Sequence, residues 1–340
     1  SRNSNLDWDP NSSSAMSTLT VTNSNLNHAG EGVASQGNSG ISLFATGTAN
    51  VKLVVSGGQI VNNAAAGIQI TGDTGTTVRS DIDGVNMVSS APPAVAPGVD
   101  PGASWGNGVG TNFGITIGSS GTSIGVHRIN NVQLAYTGIA PNDGGTASAI
   151  SFVPSGTGSF DISITNNTIG LAGVVRSGNE NYFGIAGDIR DSVTVRANVS
   201  NNNVSNTALN GIFIQARDPS AVAGNSTTDL TIRNNTVGSI SDDDDFPFGA
   251  GPNQAETHAI RVESRNDSVL RLDIAGNGAD GLGGNQDYLV RQRDTSTFAL
   301  ERLTGLANDD TNIQTFIVAQ NSGGTARATH ATTYTVIADG

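Results

Sequence analysis

A six-residue pattern that recurs eight times constrains the fold of this 340-residue chain more than any other feature. Each copy consists of an apolar residue, any residue, Asn or Gly, any two residues, and a second apolar residue. The copies begin at Val21, Val55, Ile82, Ile129, Ile164, Val199, Ile232 and Ile274, with start-to-start spacings of 34, 27, 47, 35, 35, 33 and 42 residues. Such a period predicts a repeat architecture in which each unit is one layer of a stack and length variation falls in loops.

Runs of alternating apolar and polar residues flank the pattern in most units. One run lies upstream, as at 51–55 and 270–274, and a second run that opens with Gly often lies downstream, as at 40–43 and 211–214. Period-two alternation rich in Val, Ile and Thr is typical of strands with one buried face. Each unit is therefore predicted to be a strand, a sharp corner, a short apolar segment, a loop, a second strand and another loop.

The third position of the pattern is predicted to be the corner. Asn and Gly adopt the left-handed backbone conformation at the lowest cost, so they suit a strand that must turn abruptly. We expect the Asn amides of stacked corners to form a hydrogen-bonded ladder. The predicted corner residues are Asn23, Gly57, Gly84, Asn131, Asn166, Asn201, Asn234 and Gly276.

A lone unit cannot bury its apolar face, whereas stacked units bury a continuous column at about 4.8 Å per layer. The sequence thus predicts an all-β fold, a single parallel β-helix of about eight or more coils with loop insertions. The coils are expected over residues 19–287. Residues 1–18 are expected to wrap or cap the N-terminal end, with Trp8 over the first coil, and residues 288–340 to form divergent closing coils or a C-terminal cap.

The Asn-Asn-Thr-Ile and Asn-Asn-Thr-Val corners at 166–169 and 234–237 resemble the parallel β-helix repeat of pectate-lyase-like proteins, and most closely the coils of large bacterial adhesin-like surface proteins. The resemblance covers residues 19 to about 290. It implies a right-handed helix, as does the rule for parallel crossovers. It does not select an activity, because that fold family includes lyases, hydrolases, phage tailspikes and non-catalytic adhesins.

Composition narrows the classes of function. The chain has no Cys, which excludes disulfides, thiolate metal sites and Cys nucleophiles. A net charge of −13 disfavours nucleic acid and anionic membranes as partners, and no apolar run is long enough for a membrane helix. The composition is associated with exported bacterial proteins, so we expect an extracellular or cell-surface location. The chain begins Ser1-Arg2-Asn3, which indicates a segment of a longer precursor.

Outward strand positions are where a β-helix would contact a polysaccharide. In the third unit, Asp81 and Asp83 are predicted to face outward, with Arg128 on the next coil and Asp161 one coil further. A polar ladder of this kind is the candidate contact for a sugar or uronate, although outward strand positions are usually just solvated. No catalytic residue is predicted, since His28, His127, His258 and His330 have no repeating partner.

Two segments are candidates for calcium, because hard cations bind clustered oxygen ligands. The first is an acidic run in an insertion between units. The second, at 276–287, resembles one imperfect copy of the glycine-rich nonapeptide of calcium-binding β-rolls. The candidate ligands are Asp242, Asp243, Asp244, Asp245, Asp280 and Asp287. A solvated acidic loop and an ordinary Gly-rich loop are the competing interpretations, so no cofactor is predicted apart from this calcium hypothesis.

The leading functional hypothesis is a non-enzymatic extracellular structural or adhesive protein, an adhesin stalk or a subunit of a surface fibre or matrix. Its expected partners are copies of itself, joined end to end through unpaired strand edges, flanking segments of a longer precursor, or cell-surface polysaccharide. One alternative is a polysaccharide-active lyase or hydrolase, or a carbohydrate-binding β-helix. Another is a calcium-dependent adhesion module.

Overall fold

The structure is a computed structural model. It describes residues 4–13, 15–27, 39–63, 65–88, 113–137, 148–174, 177–179, 182–217, 225–238, 258–279, 287–303, 309–322, 324–330 and 335–337. In these residues the fold is all-β, with three parallel sheets and one short helix, and it is compatible with a parallel β-helix.

Two sheets of ten strands run the length of the stack, and a third sheet of six strands covers its middle part, between residues 86 and 279. Sheet 1 contains β1 Leu6–Trp8, β3 Ile41–Ala45, β5 Ala66–Gly72, β8 Phe113–Ser119, β11 Ser148–Pro154, β14 Phe183–Arg190, β17 Ile212–Arg217, β20 Ile260–Ser264, β23 Tyr288–Gln292 and β25 Ala326–Thr329. Sheet 2 contains β2 Ser17–Thr22, β4 Asn50–Ser56, β6 Thr77–Asp83, β9 Ile124–Asn130, β12 Ser159–Thr165, β15 Thr194–Ser200, β18 Thr227–Arg233, β21 Val269–Ala275, β24 Thr297–Glu301 and β26 Thr335–Ile337. Sheet 3 contains β7 Asn86–Val88, β10 Gln133–Ala135, β13 Thr168–Ile169, β16 Asn203–Ser205, β19 Thr236–Gly238 and β22 Gly278–Ala279.

The strand register stacks equivalent residues of successive units directly on one another. In sheet 1, Ile41 pairs with Ile68, which pairs with Ile115, and the column continues through Ile150 and Ile185. All five are fully buried. In sheet 2 the first residue of the six-residue pattern forms a similar buried column. The repeat therefore builds the core, because every unit covers the apolar face of the preceding one.

Two core phenylalanines, Phe152 and Phe160, pack against glycines in adjacent strands. A Cβ atom at Gly187 would lie 2.4 Å from Phe152 Cζ, and a Cβ atom at Gly125 would lie 2.6 Å from Phe160 Cδ2. The two rings lie 6.2 Å apart, and the Phe160 ring lies 4.9 Å from the ring of His127. At these two positions a large residue in one coil is therefore accommodated by a glycine in the adjacent coil.

All eight predicted corner residues have a positive φ, from 46° at Asn23 to 68° at Gly276. The corners stack closely, since a Cβ atom at Gly276 would lie 2.3 Å from Asn234 Oδ1. The abrupt turn at this position therefore places the backbone in the left-handed region that Asn and Gly tolerate best.

The main amide ladder lies one residue after the corners, not on them as expected. Asn167 Nδ2 donates to Asn202 Oδ1 at 2.9 Å, Asn202 to Asn235 at 2.9 Å, Asn235 to Asn277 at 2.9 Å, and Asn277 to Asn321 at 2.8 Å. These five side chains are at most 8% exposed. The reason is geometric: the residue after the corner points into the stack, where buried backbone groups need partners.

Both ends of the chain join the stack. β1 pairs with β3 and β2 with β4, so residues 6–8 of the expected wrapping segment form a strand, and β2 begins two residues before the expected start of the coils at residue 19. At the other end, β23 and β24 continue sheets 1 and 2 across the expected boundary at residue 288. The α-helix α1, Asp310–Gln320, lies between β24 and β25 and was not predicted.

Candidate functional site

The outward face of sheet 2 is the surface on which the sequence placed its candidate sugar contacts. Along these strands the burial alternates, for example exposed and buried by turns through β9 and β12, so every second side chain faces outward. Because the register is continuous, outward side chains form columns that run from coil to coil. One column contains Lys52, Arg79, Val126, Asp161, Arg196, Asp229 and Arg271.

A shallow, open groove of about 620 Å³ crosses this face. It brings together three of the four predicted sugar-contact residues, Asp81, Arg128 and Asp161. The fourth, Asp83, lies beside the groove and is held by Arg128. Further polar lining residues are Lys52, Arg79, Ser163, Arg196, Asn198, Asp229 and Thr231.

Arg128 ties two carboxylates of the neighbouring strand together. Its guanidinium donates to Asp81 Oδ1 at 2.6 Å and to Asp83 Oδ1 at 3.1 Å, and Asn130 Nδ2 also donates to Asp83 Oδ1 at 2.5 Å. The hydrogen bond to Asp81 is the main cause of a raised Arg128 pKa. Asp81 and Asp83 are therefore both engaged by the same guanidinium group.

Other charges of the groove are not engaged in this way. Within the described part of the chain, Lys52, Asp161 and Arg196 make no ion pair, and Asp229 pairs with Arg271 at 3.3 Å through two half-exposed side chains. Sequence reasoning missed Lys52, Arg196 and Asp229 as members of the groove. The signal was the repeat itself, because Asp161, Arg196 and Asp229 occupy the same position in consecutive units.

His127 is next to the groove but faces the core. It is 4% exposed, its Nδ1 lies 2.9 Å from Ser80 Oγ, and it contacts Phe160. Burial lowers the pKa of His127 to about 3, so the ring is neutral at neutral pH. A buried neutral imidazole with a hydroxyl partner is here a packing element, since its ring is enclosed by core side chains.

Sheet 1 carries a second charged cluster that the sequence did not indicate. Asp188 accepts hydrogen bonds from Arg190, Gln215 and Arg217, the last at 2.7 Å. Burial alone would raise the pKa of Asp188, but the hydrogen bonds from Arg217 and Arg190 outweigh it and hold the pKa below its usual value. Because Arg217 comes from the next strand, this pair also joins two coils.

The calcium candidates can be followed only in part. Asp242, Asp243, Asp244, Asp245 and Asp280 lie outside the described residues. Asp287 is 3% exposed and its Oδ2 accepts from the Thr325 backbone N–H at 2.6 Å, while its Oδ1 has no hydrogen-bond partner among described atoms. No group of three or more His, Cys, Asp or Glu side chains suited to a metal ion is found in the described ranges. The calcium site stays a prediction.

Comparisons with protein-family models, with curated proteins and with solved structures found no match for the chain. In the part of the chain that the structure describes, no helix has the length and apolar character needed to cross a membrane. The polysaccharide contact also stays a prediction, which rests on the polar and charged side chains that line the groove.

Proposed function

We propose that the chain is a right-handed parallel β-helix that serves as a non-enzymatic structural or adhesive module of an extracellular or bacterial cell-surface protein. The observation that carries the proposal is the continuous register of two ten-stranded sheets, in which each unit buries the apolar face of its neighbour. The handedness is inferred from the strong preference of parallel crossovers for the right hand. The likeness to pectate-lyase-like repeats supports the architecture but carries no activity.

The outward charges support a structural role, because many of them join neighbouring coils. Arg128 links β9 to β6, Arg217 links β17 to β14, and Arg302 binds Asp273 of β21 at 2.7 Å. Ion pairs of this kind reinforce the stacking direction, which backbone hydrogen bonds and the buried columns already define. Ten strands at about 4.8 Å make a rod of roughly 45 Å.

Solution scattering and adhesion assays test the two halves of this proposal. Small-angle scattering should give the elongated profile of a rod with a constant cross-section, whereas a compact globular profile would contradict the architecture. Beads coated with the chain should bind bacterial or matrix surfaces more strongly than beads coated with an unrelated acidic protein of equal size and charge. Equal binding of both bead types would remove the adhesive role and leave the structural one.

Depolymerisation assays test the non-enzymatic part. Incubation with uronate and neutral polysaccharides should yield no reducing ends or unsaturated products above a heat-denatured control. Turnover that is abolished by D81N and retained by D267N, a matched change in an exposed turn away from the groove, would overturn the proposal.

A further inference from the structure

Charges of alternating sign follow one another along the outward column of sheet 2. Asp161 pairs in register with Arg196, Arg196 with Asp229, and Asp229 with Arg271. Val126 precedes this run and Ala299 follows it, so neutral residues bound it on both sides. The spacing between consecutive charges is that of neighbouring strands, about 4.8 Å.

When this order of charges is placed against the same order read in the opposite direction, every charge lies opposite one of the other sign. A second copy whose sheet 2 faces the first, rotated about a two-fold axis that runs along the strands midway between Arg196 and Asp229, places Arg196 opposite Asp229 and Asp161 opposite Arg271. Each contact occurs twice, as a two-fold interface requires. Val126 then lies opposite the position of Ala299, which is neutral and only 4% exposed, so no like charges of the column meet.

Other registers of the same face are unfavourable. Moving the second copy along the stack by one coil brings Arg196 opposite Arg196 in one direction, or Asp229 opposite Asp229 in the other. The neighbouring outward column agrees with the favoured register, because Asn198 then faces Thr231 and the two can hydrogen-bond. Charge complementarity therefore selects one antiparallel arrangement.

The column is available for such contacts. Within the described residues Asp161 and Arg196 make no ion pair, and Arg271 and Asp229 have side chains 49% and 47% exposed. Five strands, β9 to β21, present a face of roughly 24 Å by 23 Å from strand spacing and rise per residue, on the order of 550 Å² for each partner. The total of about 1,100 Å² is at the lower end of the range of specific protein interfaces.

We propose that the outward face of sheet 2 is the surface through which two copies of this chain pair side by side, antiparallel, with Arg196 and Asp229 of each copy opposite Asp229 and Arg196 of the other. This lateral contact differs from end-to-end joining of strand edges. It does not depend on the structural or adhesive role, and a rod that stays monomeric would leave that role intact.

Reciprocal charge reversal tests the pairing. Sedimentation velocity at low ionic strength should show a dimer for the wild-type chain, and R196E and D229K should each dissociate at least about tenfold more readily, because like charges then face each other twice. An equimolar mixture of R196E and D229K should restore the dimer, since the mixed pair contains one charge-reversed contact and one native Arg196–Asp229 contact, both of which are attractive. The controls R265E and D267K change the same charges in the 265–268 turn outside this face and should pair like the wild type.

Three outcomes would overturn the proposal: a wild-type chain that is monomeric at about 0.1 mM, single variants that pair as well as the wild type, or a mixture that pairs no better than its components. Circular dichroism of each variant checks that the fold is retained. Addition of an acidic oligosaccharide tests whether the groove binds a glycan instead of a second copy of the chain. Binding of the sugar that is lost in R196E, together with a monomeric wild type, would assign the face to a glycan instead of a second copy.

Discussion

The first and second halves of the stack fill the same buried position in different ways. Directly after the corner, the first two units carry the partly buried Ser24 and Gly58, and the third and fourth carry Val85 and Val132, which are fully buried and apolar. The later coils carry Asn167, Asn202, Asn235 and Asn277 there, and Asn321 continues the series. The backbone path is shared, since β7, β10 and β13 pair in register directly after this position. One architecture thus accepts either dispersion contacts or a polar ladder at the same site.

Each asparagine of the ladder is satisfied on both sides. Asn235, for example, donates through Nδ2 to Asn277 Oδ1 and to the Val199 carbonyl oxygen, both at 2.9 Å, and its Oδ1 accepts from the backbone and side-chain N–H of Asn202. Buried amides linked in this way stabilise a fold only as long as every member keeps its partners. The later half should therefore be more sensitive than the early half to the loss of one side chain.

The largest effect is expected from N235A. The change leaves the Val199 carbonyl and two N–H groups of Asn202 without these partners, and the Asn277 amide oxygen keeps only the backbone N–H of residue 235, so the free energy of unfolding should fall by about 4 kcal/mol. V132A, at the equivalent apolar position, should cost only about 1.5 kcal/mol for two lost methyl groups. Denaturant unfolding of both variants measures the difference, and equal losses would show that the ladder adds nothing beyond packing.

Acid should destabilise the early half through His127. Its pKa is about 3 in the folded chain and near 6.5 when unfolded, so only the unfolded chain binds the proton between these values. The contribution is complete above pH 6.5 and is lost as the pH falls, by about 1.4 kcal/mol per pH unit, which makes about 3 kcal/mol at pH 4.5. H127L should lack this part of the slope. Denaturation midpoints of wild type and H127L at pH 7 and 4.5 check it, and parallel slopes would contradict it.

Near the boundary between the two halves, the close packing of Gly125 against Phe160 can be tested with G125A. A methyl group there would press on Phe160, so a loss of about 2 kcal/mol is expected from overpacking. G118A is the matched control, in β8, the strand that precedes β9 in the chain. A methyl group there meets no close contact, because the nearest atom to its Cβ would be the Val153 carbonyl oxygen at 3.7 Å. Thermal unfolding should separate the two variants, and a G125A protein as stable as G118A would mean that Phe160 has room to move.

The sequence predicted the sheets and the corners because both follow from local rules, period-two alternation and tolerance of a positive φ. It misplaced the ladder by one residue, although Asn167 and Asn202 directly follow corner asparagines. Sequence spacing does not reveal which of two adjacent amides points inward. It also missed α1, whose last turn delivers Asn321 to the ladder without a left-handed corner, so the six-residue pattern is absent there.

The groove was predicted only in outline. Asp81, Arg128 and Asp161 were found from their outward strand positions. Lys52, Arg196 and Asp229 are recognised as members of the same groove only when the strand register is known across loops of unequal length. Spacings of 27 to 47 residues between units hide that register in the sequence. Backbone pairing restores it, which is why the alternating charge column is a property of the structure.

The smallest effect is expected when the ladder is extended by one unit. In V132N the new amide lies beside Asn167, whose Oδ1 already accepts from the backbone N–H of residue 132, so the stability should stay within about 0.5 kcal/mol of wild type. V85N places the same side chain one coil earlier, next to Val132, where no ladder amide can pair with it. A buried amide with missing partners should cost about 2 kcal/mol. Denaturant titrations of the two variants measure both costs. An equal loss of stability would show that a new amide gains nothing from lying next to the existing ladder.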